Sequence, residues 1–454
     1  MQFKKTLLAT SALMAAAAWA PQAHAIPAFA RQVGMPCSAC HYQHFPTLNS
    51  FGRAFKAGGF TMVGSEEKIE GDGLSIPAVL NLAFVTGIQY NKTNGPTTGP
   101  TNPTTATSKN TNNGQFSAIQ YSLFMGGRIA ENIGFEGEVG LTGPAALASV
   151  KFPFSYDVAG GKLGVVPFLT DGLGPQQAFE PLSDGATPVH LFNQEDPAVI
   201  SANAYIWGMN AAGQANATIA GGALPSNGAA VYYYTDMGFA SFTKWQIDSL
   251  GGAASNGGAN NAGSPTSNYL RAAWTGNVAG FDSALGFQYF SGTSSTSTAL
   301  ITAGTYRTKM SEIDGQMLGD AGGMPLTLIA SYATAPASDL TGTALNGGTN
   351  AFNPGTAGSR KSFNIGAELG VLPNKATLQV GLRRASSGVN VPGTATGNAT
   401  DNAIMFGATY NIALNVRAEF TYSKYSGDMY NAAAQAGAGY VGDQLTNLTL
   451  WMGF

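Results

Sequence analysis

From about residue 76 to residue 454, the chain reads as short segments separated by turns. Within each segment, apolar and polar residues alternate along the sequence. In residues 414–423, for example, Val416 and Phe420 share one face of a segment, whereas Arg417 and Glu419 share the other. Side chains of a β-strand point to opposite faces with this period of two. The pattern therefore predicts many strands, each with one apolar face and one face of small, polar and charged residues.

The connections between these segments are of two lengths. Short turns are predicted at residues 131–132, 159–161, 373–374 and 413, and long polar loops near residues 91–113, 171–195, 251–267, 337–360, 386–401 and 426–442. Short turns at one end and long loops at the other are typical of an outer-membrane barrel with the long loops outside the cell. We therefore predict an all-β fold, a transmembrane up-and-down β-barrel of about 14–16 strands.

The end of the chain and its aromatic residues fit the same barrel. The last residues alternate up to the aromatic Phe454, as in the terminal strands of outer-membrane proteins. A soluble β-sandwich is the alternative, but so many strands present more apolar surface than one sandwich core can bury. The aromatic residues predicted near strand ends, where barrels carry aromatic girdles, are Tyr90, Tyr232, Tyr233, Tyr234, Trp274, Tyr410, Tyr422 and Trp451.

Composition narrows the class of protein further. The 454-residue chain is 10% charged, has a net charge of −3 and contains 60 glycines. Soluble domains carry roughly 25% charged residues, and a nucleic-acid-binding surface is strongly basic. The composition therefore excludes nucleic acid as a partner and favours outer-membrane lipid. Beyond residue 25 there is no run of about 18 apolar residues, so no transmembrane helix is predicted.

The start of the chain has the pattern of a secretory signal. Lys4 and Lys5 precede an apolar stretch at residues 7–20, and Ala23-His24-Ala25 fits the rule for the cleavage site. We therefore predict a signal peptide at residues 1–25, an N-terminal segment at residues 26–75 and a porin-like barrel at residues 76–454. The predicted location is the outer membrane of a Gram-negative cell.

The N-terminal segment contains Cys37-Ser38-Ala39-Cys40-His41, which has the C-x-x-C-H spacing of c-type haem attachment. Cys37 and Cys40 would each bond to the porphyrin, and His41 would be the proximal iron ligand. The alternatives are half of a zinc site and a redox cysteine pair. A zinc site needs two more ligands at comparable spacing, and the chain has no other cysteine. The motif predicts one covalent haem c.

A short helix is predicted after the motif. Leu48, Phe51 and Phe55 share one helical face, Pro46 suits the first turn and Gly58 suits the end. This face would pack against the haem, or alternatively against the barrel wall.

Other residues near the motif are candidates for holding the haem. Met62 follows the helix and can fold back over the ring as the distal iron ligand, and His44 is the second candidate. Arg53 and Arg31 are candidates for pairing with the haem propionates, since arginine binds carboxylates bidentately. The remaining distal alternatives are Met35, His190 and an open site.

The alternation along the predicted strands places a set of charged residues on the face that points into the barrel, away from lipid. Barrel interiors commonly carry ladders of opposite charge, although carboxylates there can also attract Fe²⁺. The residues predicted to face the lumen are Arg128, Glu136, Glu138, Glu368, Arg383, Arg417 and Glu419.

The N-terminal segment resembles a known family, the fused cytochrome–porins of iron-oxidising bacteria. The resemblance covers about 35 residues and is carried by Ala30 to Met35, the haem motif, His44-Phe45-Pro46, Leu48-Asn49, Phe51-Gly52-Arg53 and Phe55-Lys56. It implies a monohaem domain ahead of an outer-membrane barrel, with extracellular Fe(II) as the electron donor. Within it, Cys37, Cys40 and His41 match the haem site.

A single haem constrains how such a protein can work. The apolar band of an outer-membrane barrel is about 25 Å tall, so one haem links its two sides only from within the wall or the lumen. We therefore predict that the haem segment plugs the lumen from the periplasmic side. The function predicted is an oxidoreductase that takes electrons from Fe(II) and passes them to a periplasmic cytochrome c or copper protein. The alternatives are a diffusion porin plugged or gated by the haem segment, and a conduit for another extracellular donor.

Overall fold

A computed structural model of the chain describes residues 27–64, 66–78, 80–94, 114–141, 146–170, 174–182, 191–207, 225–247, 266–296, 304–339, 346–431 and 442–454. The predicted signal peptide and His190 lie outside these described residues. The described helices, none of them long and apolar enough to cross a membrane, are α1 (Pro27–Val33), α2 (Ser50–Ala57), α3 (Pro197–Ile200) and α4 (Ala202–Ile206), with 3₁₀ turns at Cys37–Ala39, Pro175–Gln177 and Asp428–Tyr430.

The strands dominate the structure. They are β1 (Lys68–Gly71), β2 (Leu74–Pro77), β3 (Leu82–Thr93), β4 (Gln115–Ala130), β5 (Ile133–Gly140), β6 (Ala146–Lys151), β7 (Phe154–Val158), β8 (Gly161–Thr170), β9 (Ser226–Thr235), β10 (Gly238–Ile247), β11 (Ser267–Val278), β12 (Phe281–Ser291), β13 (Thr293–Thr296), β14 (Gly304–Arg307), β15 (Met310–Ala321), β16 (Met324–Ala335), β17 (Asn346–Asn350), β18 (Arg360–Leu372), β19 (Ala376–Ser386), β20 (Asn402–Ala413), β21 (Val416–Ser426) and β22 (Gln444–Gly453).

Seventeen of these segments, β3–β12, β15, β16 and β18–β22, close into one antiparallel barrel. β6 and β7 are two parts of a single strand, because both pair with β5 on one side and β8 on the other. They are separated at Phe152-Pro153, where proline has no N–H for the sheet. The described barrel therefore has sixteen strands, within the predicted range, and β22 closes it against β3.

Two small sheets lie outside the barrel pairing. β13, β14 and β17 form a three-stranded sheet built from the connections that follow β12 and β16. β1 and β2 form a hairpin between the haem motif and the barrel. The first barrel strand therefore begins at Leu82, and the predicted boundary at residue 76 falls within the hairpin.

Burial alternates along the barrel strands, as the period of two predicts. In β11, Tyr269 and Arg271 are fully buried, whereas Leu270 and Trp274 are exposed. Of the charged residues predicted to face the lumen, Glu136, Glu368, Arg383, Arg417 and Glu419 are buried, and Arg128 and Glu138 are half-buried. Many exposed residues of the outer face are large and apolar, among them Val231, Leu285, Ile313, Phe363, Phe406 and Leu448.

The aromatic residues divide between the two faces. Trp274 and Tyr410 point outward, in agreement with the predicted girdle. Tyr232 and Tyr234 are buried in the lumen instead, so the prediction was wrong for them. Tyr232 and Tyr234 are two residues apart, so their side chains lie on the same face of β9, and that face points into the barrel.

The described residues of the connection between β8 and β9, 174–182 and 191–207, fold into the lumen, and we call them the insert. Phe179, Phe192, Ile200 and Tyr205 of the insert are almost fully buried, and they belong to two apolar clusters shared with the barrel wall. The sequence had predicted a long polar loop over residues 171–195. That prediction is wrong for the described part, because its apolar side chains are buried by the barrel interior.

Buried charges fix the insert to the wall. Arg271 of β11 donates to Glu180 of the insert at 2.8 Å and to Asp314 of β15 at 2.7 and 3.0 Å. At the other end of the insert, Tyr425 of β21 donates to Asp196. The insert is thus held by contacts with side chains from well-separated strands.

We expect Arg271→Met to loosen the insert, because it leaves the buried carboxylates of Glu180 and Asp314 without their cation. Breaking a buried ion pair in this way costs about 3–5 kcal/mol. The measurement is urea unfolding of the detergent-solubilised protein followed by tryptophan fluorescence. Lys162→Met is the matched control, because the Lys162–Asp157 pair is largely exposed and such pairs contribute about 1 kcal/mol or less. Equal midpoints for the two variants would contradict this role of Arg271.

Candidate functional site

The N-terminal segment, residues 27–64, fills one mouth of the barrel. Arg53 donates to both carboxylate oxygens of Asp282 at 2.7 and 2.8 Å, and Tyr232 donates to the Ala57 carbonyl at 2.6 Å. Tyr42 donates to the carbonyl of Gly319. Asp282 and Gly319 lie close to the short β11–β12 and β15–β16 turns. The segment therefore plugs the barrel at its short-turn end.

A cleft lies within this segment. Cys37, Cys40 and His41 all line it. The complete lining is Phe29, Ala30, Val33, Met35, Pro36, Cys37, Cys40, His41, Leu48, Gly52, Phe55, Lys56 and Phe60.

Backbone hydrogen bonds shape the motif. The amides of Cys40 and His41 both donate to the Cys37 carbonyl, at 3.1 and 2.9 Å, and so wind the motif into a tight turn. The turn brings its two thiols and its imidazole to one cleft, which extended chain with alternating side-chain directions would not do.

Asn49 joins this turn to α2, and the sequence reasoning did not identify it. Its side-chain oxygen caps α2 by accepting from the Gly52 amide at 3.0 Å. Its side-chain amide donates to the Ala39 carbonyl at 2.9 Å, and its backbone amide donates to Cys40. A Cβ at Gly52 would collide with the Cys40 carbonyl. The asparagine immediately before the helix is the signal that marks it as a cap.

Aromatic rings form one wall of the cleft. Phe29 stacks on Phe60 with ring centroids 4.7 Å apart, and Phe55 lies 5.5 Å from Phe29 and 5.7 Å from Phe60. The prediction that Leu48, Phe51 and Phe55 share one helical face against the haem is partly wrong. Leu48 precedes the helix, which begins at Ser50, and Phe51 is not part of the lining.

The candidates for the distal iron ligand lie in different places. Met35 lines the cleft. Met62 is not among the lining residues and is 44% exposed, and its carbonyl accepts from Gln32 at 2.6 Å. His44 lies against the barrel wall, with Nε2 2.6 Å from Glu368 and Nδ1 3.1 Å from Arg417. The structure thus brings Met35 to the motif and places Met62 and His44 elsewhere.

The basic side chains near the motif also lie in different places. Arg53 is engaged with Asp282, and Arg31 donates to the carbonyl of Leu82. Neither lines the cleft. Lys56 does, and it is buried. Among the described residues that line the cleft, Lys56 is the one with a permanent positive charge, a feature that the sequence reasoning missed.

The contact between His44 and Glu368 anchors the N-terminal segment in the lumen. Glu368 also accepts from Thr377 and Gln379, each at 2.8 Å. Arg417, beside His44, lies 3.1 Å from Glu419. The sequence placed these strand residues in the lumen but could not pair them with His44.

The insert meets the N-terminal segment next to this anchor. The Thr47 hydroxyl donates to the Leu191 carbonyl at 3.1 Å. Burial and the nearby Glu419 carboxylate raise the pKa of Glu195 to about 8. A raised pKa favours the neutral form of the Glu195 carboxyl group, which limits the negative charge buried in this part of the lumen.

In the described part of the chain, no group of three or more His, Cys, Asp and Glu side chains is arranged to hold a metal ion. This concerns protein side chains alone. A haem brings its own four nitrogen ligands and takes one or two axial ligands from the protein.

No protein-family model and no curated protein sequence matches the chain. Solved outer-membrane proteins are similar to it in fold. OmpT of Vibrio cholerae, in its in-vitro folded trimer form, is 8% identical with a TM-score of 0.44, over 83% of this chain and 99% of OmpT. Salmonella typhi OmpF, in complex with daunomycin, is 13% identical with a TM-score of 0.46, over 86% of this chain and 100% of OmpF. The barrel itself is established by its strand pairing.

We expect Glu368→Ala to loosen the N-terminal segment while the barrel stays closed. The change leaves the buried His44 ring without its partner, at a cost of about 1–3 kcal/mol. The measurement is limited trypsin digestion of the folded protein, with cleavage within residues 27–64 becoming about tenfold faster or more. Glu131→Ala, at an exposed short turn, is the control. Unchanged digestion would show that this contact does not hold the segment.

Proposed function

We propose that this chain is an outer-membrane electron-transfer protein that holds one c-type haem in the cleft. It would take electrons from Fe(II) on the long-loop side and deliver them to a soluble carrier on the short-turn side. The observation that carries the proposal is the position of Cys37, Cys40 and His41 in one apolar cleft within the mouth of a closed barrel.

The outer face of the barrel supports the membrane location. It exposes many large apolar side chains, whereas charged side chains such as Arg271, Arg383 and Glu419 turn inward and are buried. A barrel surrounded by lipid needs this arrangement, and a soluble protein would expose a large apolar surface to water. The short turns of such barrels face the periplasm, so the cleft would open on that side.

The residues that line the cleft fit a c-type haem. Two thiols and one imidazole on a single turn supply two thioether bonds and one axial ligand. The rings of Phe29, Phe55 and Phe60 provide an apolar wall for a flat macrocycle. When bound, the haem would supply reversible one-electron oxidation and reduction.

Lys56 is better placed than either arginine to pair with a haem propionate. A carboxylate in a partly enclosed apolar cleft needs a compensating charge, and Lys56 lines the cleft. Arg53 instead pairs with Asp282, so it positions α2 against the barrel wall.

The filled lumen supports electron transfer over solute diffusion. The insert and the N-terminal segment meet at Thr47 and Leu191, and the insert packs into apolar clusters with the wall. Luminal carboxylates also have partners, with Glu136 bound to Lys151 and Glu368 bound to His44. These contacts oppose the passage of solutes through the described part of the lumen.

The test is anoxic addition of Fe(II) to the purified protein in liposomes, with the long-loop face outward. We expect the reduced haem bands to appear, faster at higher pH, because hydrolysis stabilises Fe(III). Cys37→Ala with Cys40→Ala should abolish covalent haem and the bands together. If the haem stays oxidised with Fe(II) but dithionite reduces it at once, the iron proposal fails. Ion conductance through the intact protein would then favour the gated porin.

We also expect Met35→Ala to remove the sulfur-to-iron absorption of the oxidised protein and to lower the midpoint potential, because methionine ligation raises it. The reason is that Met35 lines the cleft whereas Met62 does not. Met62→Ala is the matched control and should leave both signals unchanged. Loss of the band in Met62→Ala, with Met35→Ala unaffected, would restore Met62 as the distal ligand.

A further inference from the structure

The β1–β2 hairpin presents an apolar face that the described residues leave exposed. Ile69 pairs with Ile76 across the two strands, and Leu74 lies on the same face. These side chains are 51%, 44% and 47% exposed. The opposite face carries Lys68 and Glu70, so the hairpin is amphipathic with its apolar side uncovered.

The hairpin is also strongly acidic. Residues 66–77 contain four acidic side chains, Glu66, Glu67, Glu70 and Asp72, and one basic side chain, Lys68, a net charge of −3. The whole 454-residue chain has the same net charge. Negative charge is therefore concentrated in this hairpin and the two residues before it.

The hairpin stands beside the cleft. The Gly64 amide donates to the Gln32 carbonyl at 3.0 Å. Gly64 also lies so close to Val33 that a Cβ on Gly64 would collide with the Val33 carbonyl. Val33 is one of the residues that line the cleft. Glu67 follows three residues later and so lies at most about 11 Å from Gly64. Ala78 donates to the Glu67 carbonyl at 2.9 Å and closes the base of the hairpin.

We propose that this hairpin is the docking surface for the electron acceptor, a soluble redox protein with a basic rim around an apolar patch. The inference rests on the proposed function. The acidic groups would steer the basic rim, and Ile69, Leu74 and Ile76 would meet the apolar patch. Small interfaces of this kind suit brief electron-transfer encounters. A membrane surface is the less favoured partner, because anionic lipids repel four carboxylates.

The proposed reaction with the acceptor is the transfer of a single electron. A haem held by Cys37, Cys40 and His41 would supply one electron, and the acceptor's redox centre would take up one electron. No bond forms or breaks and no other reactant is needed.

The test uses the full-length haem protein in detergent, reduced with dithionite and desalted, then mixed with oxidised mitochondrial-type cytochrome c as a basic probe. The variant carries Glu66→Gln, Glu67→Gln, Glu70→Gln and Asp72→Asn. At low salt we expect its rate of electron transfer to fall by about tenfold or more relative to the parent. The parent rate should fall with added salt, and the variant rate should be nearly independent of salt.

Two controls separate docking from general charge effects. Glu131→Gln with Asp236→Asn neutralises two exposed carboxylates on short turns elsewhere and should leave the rate near that of the parent. Cytochrome c with succinylated lysines reverses the probe's charge and should react slowly with the parent. Ile69→Ser with Ile76→Ser should lower the rate at every salt concentration.

The outcomes separate this inference from the proposed function. If Fe(II) fails to reduce the haem but the carboxylate variant still slows transfer to the probe, the iron proposal fails and the docking surface stands. If Fe(II) reduces the haem and all hairpin variants transfer electrons like the parent, the docking surface is wrong. Weaker binding of the Ile69→Ser, Ile76→Ser variant to phosphatidylglycerol vesicles, with an unchanged transfer rate, would also overturn it and assign the hairpin to lipid.

Discussion

When the sheet closes into a barrel, every second side chain of each strand points into the barrel interior. A charged group in that interior is stable only beside an opposite charge or a hydrogen-bond partner. Both segments that enter the lumen meet this requirement with the wall. The insert brings Glu180 to Arg271, and the N-terminal segment brings His44 to Glu368 and Arg53 to Asp282. Pairing with charges of the wall thus helps to fix the positions of the two segments.

The cleft depends on the same arrangement. The segment that contains it is short, with two helices of seven and eight residues, too little chain to bury a core of its own. The wall completes it: Phe29 packs against Gly126 of β4, and Gly59 against Pro153 at the break between β6 and β7. The break leaves space where α2 ends, so an interruption in one strand helps to seat the segment.

The sequence predicted what repeats along the chain, and it missed what depends on distant pairs. A period of two determined which residues of each strand face inward, because strand geometry fixes it locally. The partner of His44 lies 324 residues away, and no local pattern encodes that contact. The insert was missed because its residues are interspersed with Gly, Pro and Asn, which resemble loop sequence until the barrel interior buries them. Met35 lies just before the motif and Met62 follows α2, and only the folded structure shows that Met35 lines the cleft and Met62 does not.

Barrels of 16–18 strands are wide enough for an aqueous channel, and the contents of this one therefore carry functional information. Two described segments meet in this lumen at Thr47 and Leu191, and aromatic side chains are buried there. An electron needs no open path, since it passes between redox centres through packed protein, whereas a hydrated ion or solute requires continuous water. The two segments that pack into the lumen also hold the cleft in a fixed place. A barrel of a size that leaves an aqueous channel when empty is thus occupied by packed chain over the described residues.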